Sequence, residues 1–270
     1  MKQFLLPCAP DAQGQVQLEG KDAHYLAGVR RVKVGQVLPC RYPSGEEANM
    51  VVTSICHASV MLHVQAESVP SAHFSDSQAH NLPHIHLVQC LPKGAKMDTI
   101  IRQAMESGVS CLYPVSSSNA VPDLAGKEQT KVARWQRIAR EAFQQSGHNH
   151  LMEINEPMPL ENACRSLVKK YGGSFLGLYC HEQTLAKATL HGYCSGKPKE
   201  IAVVIGPEGG LSPNELQMLD AFSFKSLYLG PGVLRTETAA LFAVAAIRIT
   251  TLEADSWVPI TRNSQSSNAE

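Results

Sequence analysis

Two short loops rich in glycine and proline most constrain how this chain can fold. The first, residues 206–210, reads Gly-Pro-Glu-Gly-Gly, and the second, residues 229–232, reads Leu-Gly-Pro-Gly. Each loop lies between a short apolar run and a helical pattern, which is typical of the carboxyl end of a strand in an α/β sheet. Ligands bind at that edge of such sheets. The two loops therefore predict one small-molecule site built largely from main chain.

Apolar runs alternate with helical patterns from residue 84 onward. Strands are predicted over residues 85–91, 109–115, 175–179, 202–205 and 227–229. Between them, apolar residues recur at three- and four-residue spacing in segments 97–105 and 132–143. This alternation predicts an α/β domain over residues 84–256, with a largely parallel sheet covered on both faces.

The amino-terminal part of the chain has a different pattern. Short β-branched runs at residues 32–37, 50–55 and 60–64 alternate with turn residues, which predicts a small all-β barrel or sandwich over residues 1–70. Residues 71–83, a mostly polar stretch with three serines that ends at Pro83, are the predicted linker. Residues 257–270 are predicted to form a frayed tail.

The composition is that of an ordinary globular protein, with 44% hydrophobic and 18% charged residues. The net charge is zero, so no overall positive field favours a nucleic-acid partner, although a local patch can suffice. The eight cysteines include no C-x-x-C pair, which argues against zinc-ribbon and thioredoxin-like sites. The sequence shows no signal peptide and no apolar run long enough to span a bilayer, and we expect a cytoplasmic, reduced protein.

A helix is predicted to begin directly after the first loop. Ser212, Pro213 and Glu215 fit a capping box with proline at the first helical position. The unpaired N–H groups of such a helix favour an electron-rich ligand group, and the glycines let a ligand touch the main chain. One such loop by itself is more often an ordinary tight turn.

The second loop leads into Arg235 and Glu237, followed by an unusually apolar segment at residues 239–247. A helix that is apolar all round is expected to be buried. Charged groups at the mouth of a buried helix need partners, which are either each other or a ligand. From these residues alone, a plain ion pair and a role in chemistry are equally open.

Several common kinds of site are missing from the sequence. No G-x-G-x-x-G motif follows a strand, and the loop before Pro198 lacks both the spacing and the hydroxyl residue of a phosphate loop. No G-x-S-x-G motif occurs, and Cys180 lies directly beside His181, a poor geometry for a nucleophile and its base. His84 and His86 share a strand face but lack a third ligand at matching spacing, so we predict no metal.

Basic residues cluster locally in spite of the zero net charge. The candidate RNA-binding residues are Arg30, Arg31, Lys33, Lys93 and Lys96. A helical stretch adds four more, Lys131, Arg134, Arg137 and Arg140. A solvated surface is the common reason for such residues and phosphate contact the more specific one, and the pattern alone leaves both open.

At the two loops the chain resembles a known family. Segments 205–212 and 229–240 together resemble the paired signature of the RsmE family, 16S ribosomal RNA uridine-N3 methyltransferases of the SPOUT class. Matches in segments 24–35, 93–98, 106–109, 134–138 and 145–147 extend the similarity over nearly the whole chain. The resemblance implies a PUA-like β-barrel, an α/β domain with a trefoil knot, a homodimer, and S-adenosylmethionine as methyl donor.

The resemblance also implies the residues of the site. By position, the residues that bind the donor are Leu178, Tyr179, Cys180, His181, Gly206, Pro207, Glu208, Gly209, Gly210, Leu229, Gly230, Val233, Leu234, Thr238 and Ala239. A methyl sulfonium needs no metal but must be held against the base, whose N3 proton has to leave. The predicted catalytic residues are Arg235, which would stabilise negative charge on the uracil, and Glu237, which would orient Arg235 or accept the proton.

The chain departs from the family pattern at several positions. Gly232, Asn119 and His148 stand where arginine is common, and Ala95 stands where aspartate is frequent. Fewer cations predict weaker binding to the expected partner, small-subunit ribosomal RNA or the assembled subunit, with a flatter salt dependence. Two alternatives remain open: a non-catalytic RNA-binding or ribosome-assembly protein on the same fold, and a methyltransferase for a different RNA.

Overall fold

The chain forms two sheets, one in each part of the sequence. The computed structural model describes residues 4–42, 46–56, 59–65, 82–120, 126, 128–146, 148, 150–183 and 185–254. The predicted linker lies outside these residues except for positions 82 and 83, and the predicted tail lies wholly outside them. The domain boundaries therefore stay a prediction.

The first sheet is mostly antiparallel. Its strands are β1 (Phe4–Leu5), β2 (Gln15–Glu19), β3 (Val37–Arg41), β4 (Glu47–Ile55) and β5 (Ser59–Val64), in the order β1-β3-β4-β5-β2. Only the short β1–β3 pair is parallel among the described strands of this sheet. Val16 and Leu18 of β2 are buried while their neighbours are exposed, as in a strand with one face on a core. Helix α1 (Gly20–His24) continues into a π-helical turn, Tyr25–Val29. Ala23 of the helix and Leu26 of the turn pack into the hydrophobic core on the first sheet.

The β-branched run at residues 32–37 forms the connection into β3 and, at Val37, the first residue of that strand. Arg31 and Gly35 have positive φ values of 50° and 83°, which break an extended backbone on both sides of Val32. Val34 is 62% exposed, so its β-branched side chain is not packed on a sheet. The β-branched pattern by itself does not separate the turn at residues 34–35 from the start of β3 at Val37.

The second sheet is parallel at every described pair. Its strands are β6 (His84–Cys90), β7 (Cys111–Ser116), β8 (Glu153–Ile154), β9 (Met158–Pro159), β10 (Phe175–Cys180), β11 (Glu200–Ile205) and β12 (Lys225–Leu227). The order is β12-β10-β11-β6-β7-β8, with β9 also paired to β7. β6 and β11 are buried along almost their whole length, which is typical of central strands in a sheet covered on both faces. The predicted α/β arrangement is confirmed.

Helices cover both faces of this sheet. They are α2 (Lys96–Glu106), α3 (Glu128–Ser146), α4 (Leu160–Tyr171), α5 (Leu190–Cys194), α6 (Pro213–Ala221) and α7 (Thr236–Glu253). Helices α2, α3, α5 and α7 contribute to the core on one face, and α4 and α6 to the core on the other. The carboxyl ends of the strands therefore remain the open edge of the sheet, where the two glycine loops lie.

Helix α7 is buried on one side only. Ala243, Val244 and Ile247 pack into the core, whereas Leu241, Phe242 and Ile249 are 37%, 51% and 53% exposed. The sequence predicts a helix buried on all sides, and within a single chain α7 is buried on one side only. The exposed side is equally apolar, because the segment carries few polar residues before Arg248.

The two sheets meet where α3 ends. The Gln145 amide donates a hydrogen bond of 3.3 Å to the Tyr25 hydroxyl, and Leu5 packs against the larger core. Within the described part of the chain, no helix has both the length and the apolar character required to cross a bilayer.

Candidate active site

Three loops at the carboxyl ends of β10, β11 and β12 enclose a cavity of about 520 Å³. This volume lies within the range of small-molecule and cofactor pockets. The cavity is lined by Lys96, Cys180, His181, Glu182, Ile205, Gly206, Pro207, Glu208, Gly209, Gly210, Leu211, Leu229, Gly230, Gly232, Val233, Leu234, Arg235, Thr236 and Ala239. The structure therefore brings the two glycine loops together with the end of β10, as the sequence predicts.

The first loop is a tight turn that leads into α6. The Gly210 N–H donates to the Pro207 carbonyl at 2.9 Å, and Gly210 has a φ of +71°, a conformation that favours glycine. The predicted capping box is present: Glu215 N–H donates to the Ser212 hydroxyl at 3.3 Å, and Ser212 N–H donates to the Glu215 carboxylate at 2.7 Å. The loop is thus fixed at its carboxyl end by the start of a helix.

A neighbouring segment holds the first loop from outside. The Asn119 amide donates to the carbonyls of Gly209 at 3.2 Å and Gly210 at 3.1 Å, and the Ser118 N–H donates to Glu215 at 2.8 Å. A Cβ at Gly209 would lie 3.2 Å from the Asn119 Cβ, so the glycine permits this close approach. Sequence analysis noted Asn119 only as a departure from a family arginine and did not predict this contact.

The second loop presents bare main chain to the cavity. Gly230 has a φ of +119°. A Cβ placed at Gly230 or Gly232, or at Gly210 of the first loop, would meet no protein atom within 4 Å. Val233, next in the loop, is 82% exposed. The glycines therefore leave open space beside their backbones, where a ligand can approach the peptide groups directly.

Thr236 joins the two loops through its side chain. Its hydroxyl donates to the Gly206 carbonyl at 2.9 Å and accepts a hydrogen bond of 3.0 Å from the Gln89 amide. Gln89 lies at the end of β6, is fully buried, and also donates to the Cys90 carbonyl at 2.8 Å. This chain of bonds fixes the first turn of α7 against the first loop. Neither Gln89 nor Thr236 was predicted as a site residue, because a contact between residues 147 positions apart leaves no local pattern.

Glu208 is the acidic residue of the first loop and is bound by a lysine. Its carboxylate accepts hydrogen bonds from the Lys96 ammonium at 2.6 Å and from the Lys93 N–H at 3.2 Å. Burial raises the pKa of the Glu208 carboxyl, but these bonds and one from its own N–H outweigh that effect, so the pKa lies below its usual value. Lys96, predicted to bind RNA, therefore lines the cavity as the partner of Glu208.

Arg235 and Glu237 lie at the start of α7. Arg235 is the exposed N-cap residue and lines the cavity. Glu237 is partly buried and does not line the cavity, and its Oε2 atom is shielded from solvent without a hydrogen-bond partner in the described structure. Among the described residues the two side chains form no ion pair with each other. Of the two partners that the sequence left open, a ligand is the one that this arrangement favours for Arg235, which lines the cavity.

A family model described as an RNA methyltransferase domain matches residues 79–248. The chain belongs to the RNA methyltransferase family. A curated relative from Bacillus subtilis (strain 168), Ribosomal RNA small subunit methyltransferase E, is 27% identical over 237 residues, which are 85% of this chain and 88% of the relative. The resemblance to the RsmE family is therefore confirmed.

Solved structures share the fold of this family member. A Legionella pneumophila protein in complex with the bound cofactor SAM has a TM-score of 0.75 and 25% identity, over 92% of this chain and 97% of that chain. A Ribosomal RNA small subunit methyltransferase E from Neisseria gonorrhoeae has a TM-score of 0.77 and 24% identity, over 92% of this chain and 97% of that chain. At that identity, the Neisseria structure establishes the fold alone.

The end of β10 contributes fewer lining residues than the resemblance implies. Cys180 and His181 line the cavity, whereas Leu178 and Tyr179 are buried in the sheet, where the Tyr179 hydroxyl donates to Asp220 at 3.2 Å. Burial raises the pKa of the Cys180 thiol to about 12, so the thiol is neutral and lines the cavity as a small apolar group. Thr238 is exposed on α7 and does not line the cavity.

His148, which stands where the family commonly has arginine, has a local partner in this structure. The His148 ring bonds the Glu106 carbonyl at 2.8 Å, at the end of α2. Arg30, Arg31 and Lys33 lie directly after the π-helical turn, in the part of the chain that forms the first sheet, with Arg31 and Lys33 exposed. The structure thus separates the predicted RNA-binding residues into a group beside the first sheet and the pair Lys93 and Lys96 beside the cavity.

Proposed function

We propose that this protein is a methyltransferase that uses S-adenosylmethionine to methylate N3 of a uridine in small-subunit ribosomal RNA. The observation that carries the proposal is the cavity between the glycine loops, whose walls are largely main chain held in place by Thr236 and Asn119. The Bacillus relative named for small-subunit ribosomal RNA and the Legionella structure with SAM support it.

The residues present fit this donor. Open space beside Gly210, Gly230 and Gly232 lets peptide N–H and C=O groups meet the polar edges of an adenosine and an amino acid. Ile205, Leu211, Leu229, Leu234 and Ala239 give the same cavity apolar surface. The ammonium of Lys96 is paired to Glu208, so this cation would repel the sulfonium of the donor less than an unpaired lysine would.

Bound there, the donor would supply an electrophilic methyl group, and the protein would supply position and charge. Arg235, exposed at the mouth of the cavity, would stabilise the negative charge that develops on the uracil as its N3 proton leaves. Glu237 has a shielded carboxylate oxygen with no partner in the described structure, so it would orient Arg235 or accept that proton.

RNA would reach this site through contacts from the first domain. The five-stranded sheet supports a PUA-like RNA-binding barrel, with Arg30, Arg31 and Lys33 on its surface as phosphate contacts and Lys93 as a further contact beside the cavity. Such a protein would act in the cytoplasm, where small subunits are assembled.

The resemblance also leads us to propose a trefoil knot and a homodimer. The chain runs from β12, at one edge of the sheet, past the ends of β10 and β11 before α7 is bonded to Gly206, a path consistent with threading through an earlier loop. The exposed apolar side of α7, with Leu241, Phe242 and Ile249, would be covered by the same helix of a second copy.

The experiment compares wild type with Arg235→Ala and Glu237→Gln. Donor binding is measured by calorimetry, and transfer of labelled methyl from S-adenosylmethionine is measured on small subunits, ribosomal RNA and transfer RNA. We expect both variants to bind the donor and to lose at least about 100-fold in methyl transfer. Near wild-type transfer by both variants would show that other groups do the chemistry. Donor binding with no transfer by wild type to any RNA would favour the non-catalytic alternative.

A further inference from the structure

The exposed side of α3 carries a regular row of cations. Lys131, Arg134, Arg137 and Arg140 follow one another at three-residue spacing, and residues so spaced form a ridge that winds around a helix. The three arginines are on the exposed side of α3, and Lys131, at the start of the row, is half-buried. At 1.5 Å per residue, the row spans about 14 Å. The side chains of Arg134 and Arg137 are 58% and 60% exposed, and Arg140 is also exposed.

Local ion pairs leave most of this charge available. Arg134 bonds Asp98 of α2, which anchors the middle of the row, while most of its side chain stays exposed. Glu141 is 3.8 Å from Arg137, too far for a hydrogen bond. Arg140 has no ion-pair partner among the residues that the structure describes.

The ridge lies between the two groups of predicted RNA-binding residues. Asp98, bound to Arg134, is two residues from Lys96 at the cavity. Five residues beyond Arg140, Gln145 donates to the Tyr25 hydroxyl, and the π-helical turn that begins at Tyr25 ends directly before Arg30. Helix α3 thus carries the ridge from the side of the cavity toward the basic residues that follow the π-helical turn.

The chemistry of the ridge suits an RNA backbone better than a protein. No large hydrophobic side chain is exposed on the described part of α3, whereas protein interfaces need an apolar centre. Guanidinium groups pair with phosphate through two N–H donors in a plane, and evenly spaced cations suit a repeating anion.

We propose that this side of α3 binds the phosphate backbone of the RNA substrate and guides it from the first domain to the cavity. The inference rests on the proposed function, because it assumes that RNA is the substrate. It adds a defined path: the RNA crosses the face of the sheet covered by α2 and α3, and not the face covered by α4 and α6.

The test is the double variant Arg137→Gln with Arg140→Gln, which keeps two good helix formers and leaves the Arg134–Asp98 pair intact. The matched control is Arg165→Gln with Lys169→Gln on α4, where Arg165 likewise has a glutamate one helical turn away, Glu161. Fluorescence anisotropy measures binding of a labelled small-subunit ribosomal RNA transcript across a salt series, and calorimetry measures binding of S-adenosylmethionine. Thermal unfolding checks that both variants are folded.

We expect the α3 variant to bind RNA more weakly, with a salt slope reduced by about 1.4, or about 0.7 for each lost phosphate contact. Its deficit relative to wild type should then shrink roughly sevenfold between 50 and 200 mM salt. Donor binding and the α4 control should match wild type.

Equal weakening by the two double variants, an unchanged α3 variant, or no RNA binding by wild type would overturn the proposal. So would an α3 variant that binds naked RNA normally but assembled subunits weakly, because the partner would then be a ribosomal protein. Because the readout is RNA binding and not turnover, loss of the path and loss of catalysis can be told apart.

Discussion

The hydroxyl of Thr236 should contribute both to stability and to donor binding, and the substitution Thr236→Val isolates it. Valine has nearly the same shape, so the change removes the bonds to the Gly206 carbonyl at 2.9 Å and from the Gln89 amide at 3.0 Å while keeping the packing. Thr236 is 5% exposed, so water cannot readily replace the lost partners.

The expected magnitude follows from these two bonds. Each contributes about 1 kcal/mol net, and Gln89 retains its bond to the Cys90 carbonyl, so the free energy of unfolding should fall by about 2 kcal/mol. Because the first loop is then no longer fixed to α7, the cavity must be ordered when the donor binds. We expect the dissociation constant for S-adenosylmethionine to rise roughly tenfold, which corresponds to about 1.4 kcal/mol.

The measurements are urea unfolding and calorimetric titration with S-adenosylmethionine. Thr251→Val is the matched control, since the Thr251 hydroxyl bonds only carbonyls of its own helix, at Ile247 and Arg248. Thr236→Ser, which restores the hydroxyl, should recover most of the donor affinity. If Thr236→Val is no more damaging than Thr251→Val in both measurements, the hydroxyl does not join the two loops as described.

Three further results are expected. Phe242→Glu places a charge on the exposed apolar side of α7 and should convert the proposed homodimer to a monomer in light scattering, with dimer retention counting against that interface. Gly177→Ala puts a Cβ 2.6 Å from the buried ring of Phe224 and should lower the free energy of unfolding by about 1–3 kcal/mol, whereas unchanged stability in urea would contradict this close packing. Burial lowers the pKa of His86, although the bond to Glu200 opposes the shift. The neutral His86 ring therefore stabilises the folded state above about pH 6.5, the pKa in the unfolded chain, and this stabilisation is lost as the pH falls toward the lower pKa of the folded state. The loss of stability between pH 7.5 and 5.5 should therefore be larger in wild type than in His86→Gln, and equal losses would exclude this histidine as the cause.

The sequence predicted those parts of the site that depend on local rules. Glycine and proline mark the two loops, and the capping box at Ser212 is a pattern of four residues that the structure reproduces. Buried parallel strands are continuous apolar runs, so β6, β7, β10, β11 and β12 were located within two residues.

The contacts that hold the loops could not be predicted in the same way. Gln89, Thr236 and Asn119 are ordinary polar residues whose partners come from distant strands and loops, and only the folded chain brings them together. The partial exposure of α7 was missed because a uniformly apolar sequence predicts burial but does not say whether the same chain or a second copy provides it.

The most direct test of the account is to identify the methylated nucleoside. Small ribosomal subunits and ribosomal RNA are incubated with the wild-type protein and labelled S-adenosylmethionine, and the RNA is digested and analysed by mass spectrometry. The account predicts label in 3-methyluridine at one position of small-subunit ribosomal RNA. Label in another nucleoside, or no label although calorimetry shows the donor bound, would contradict it.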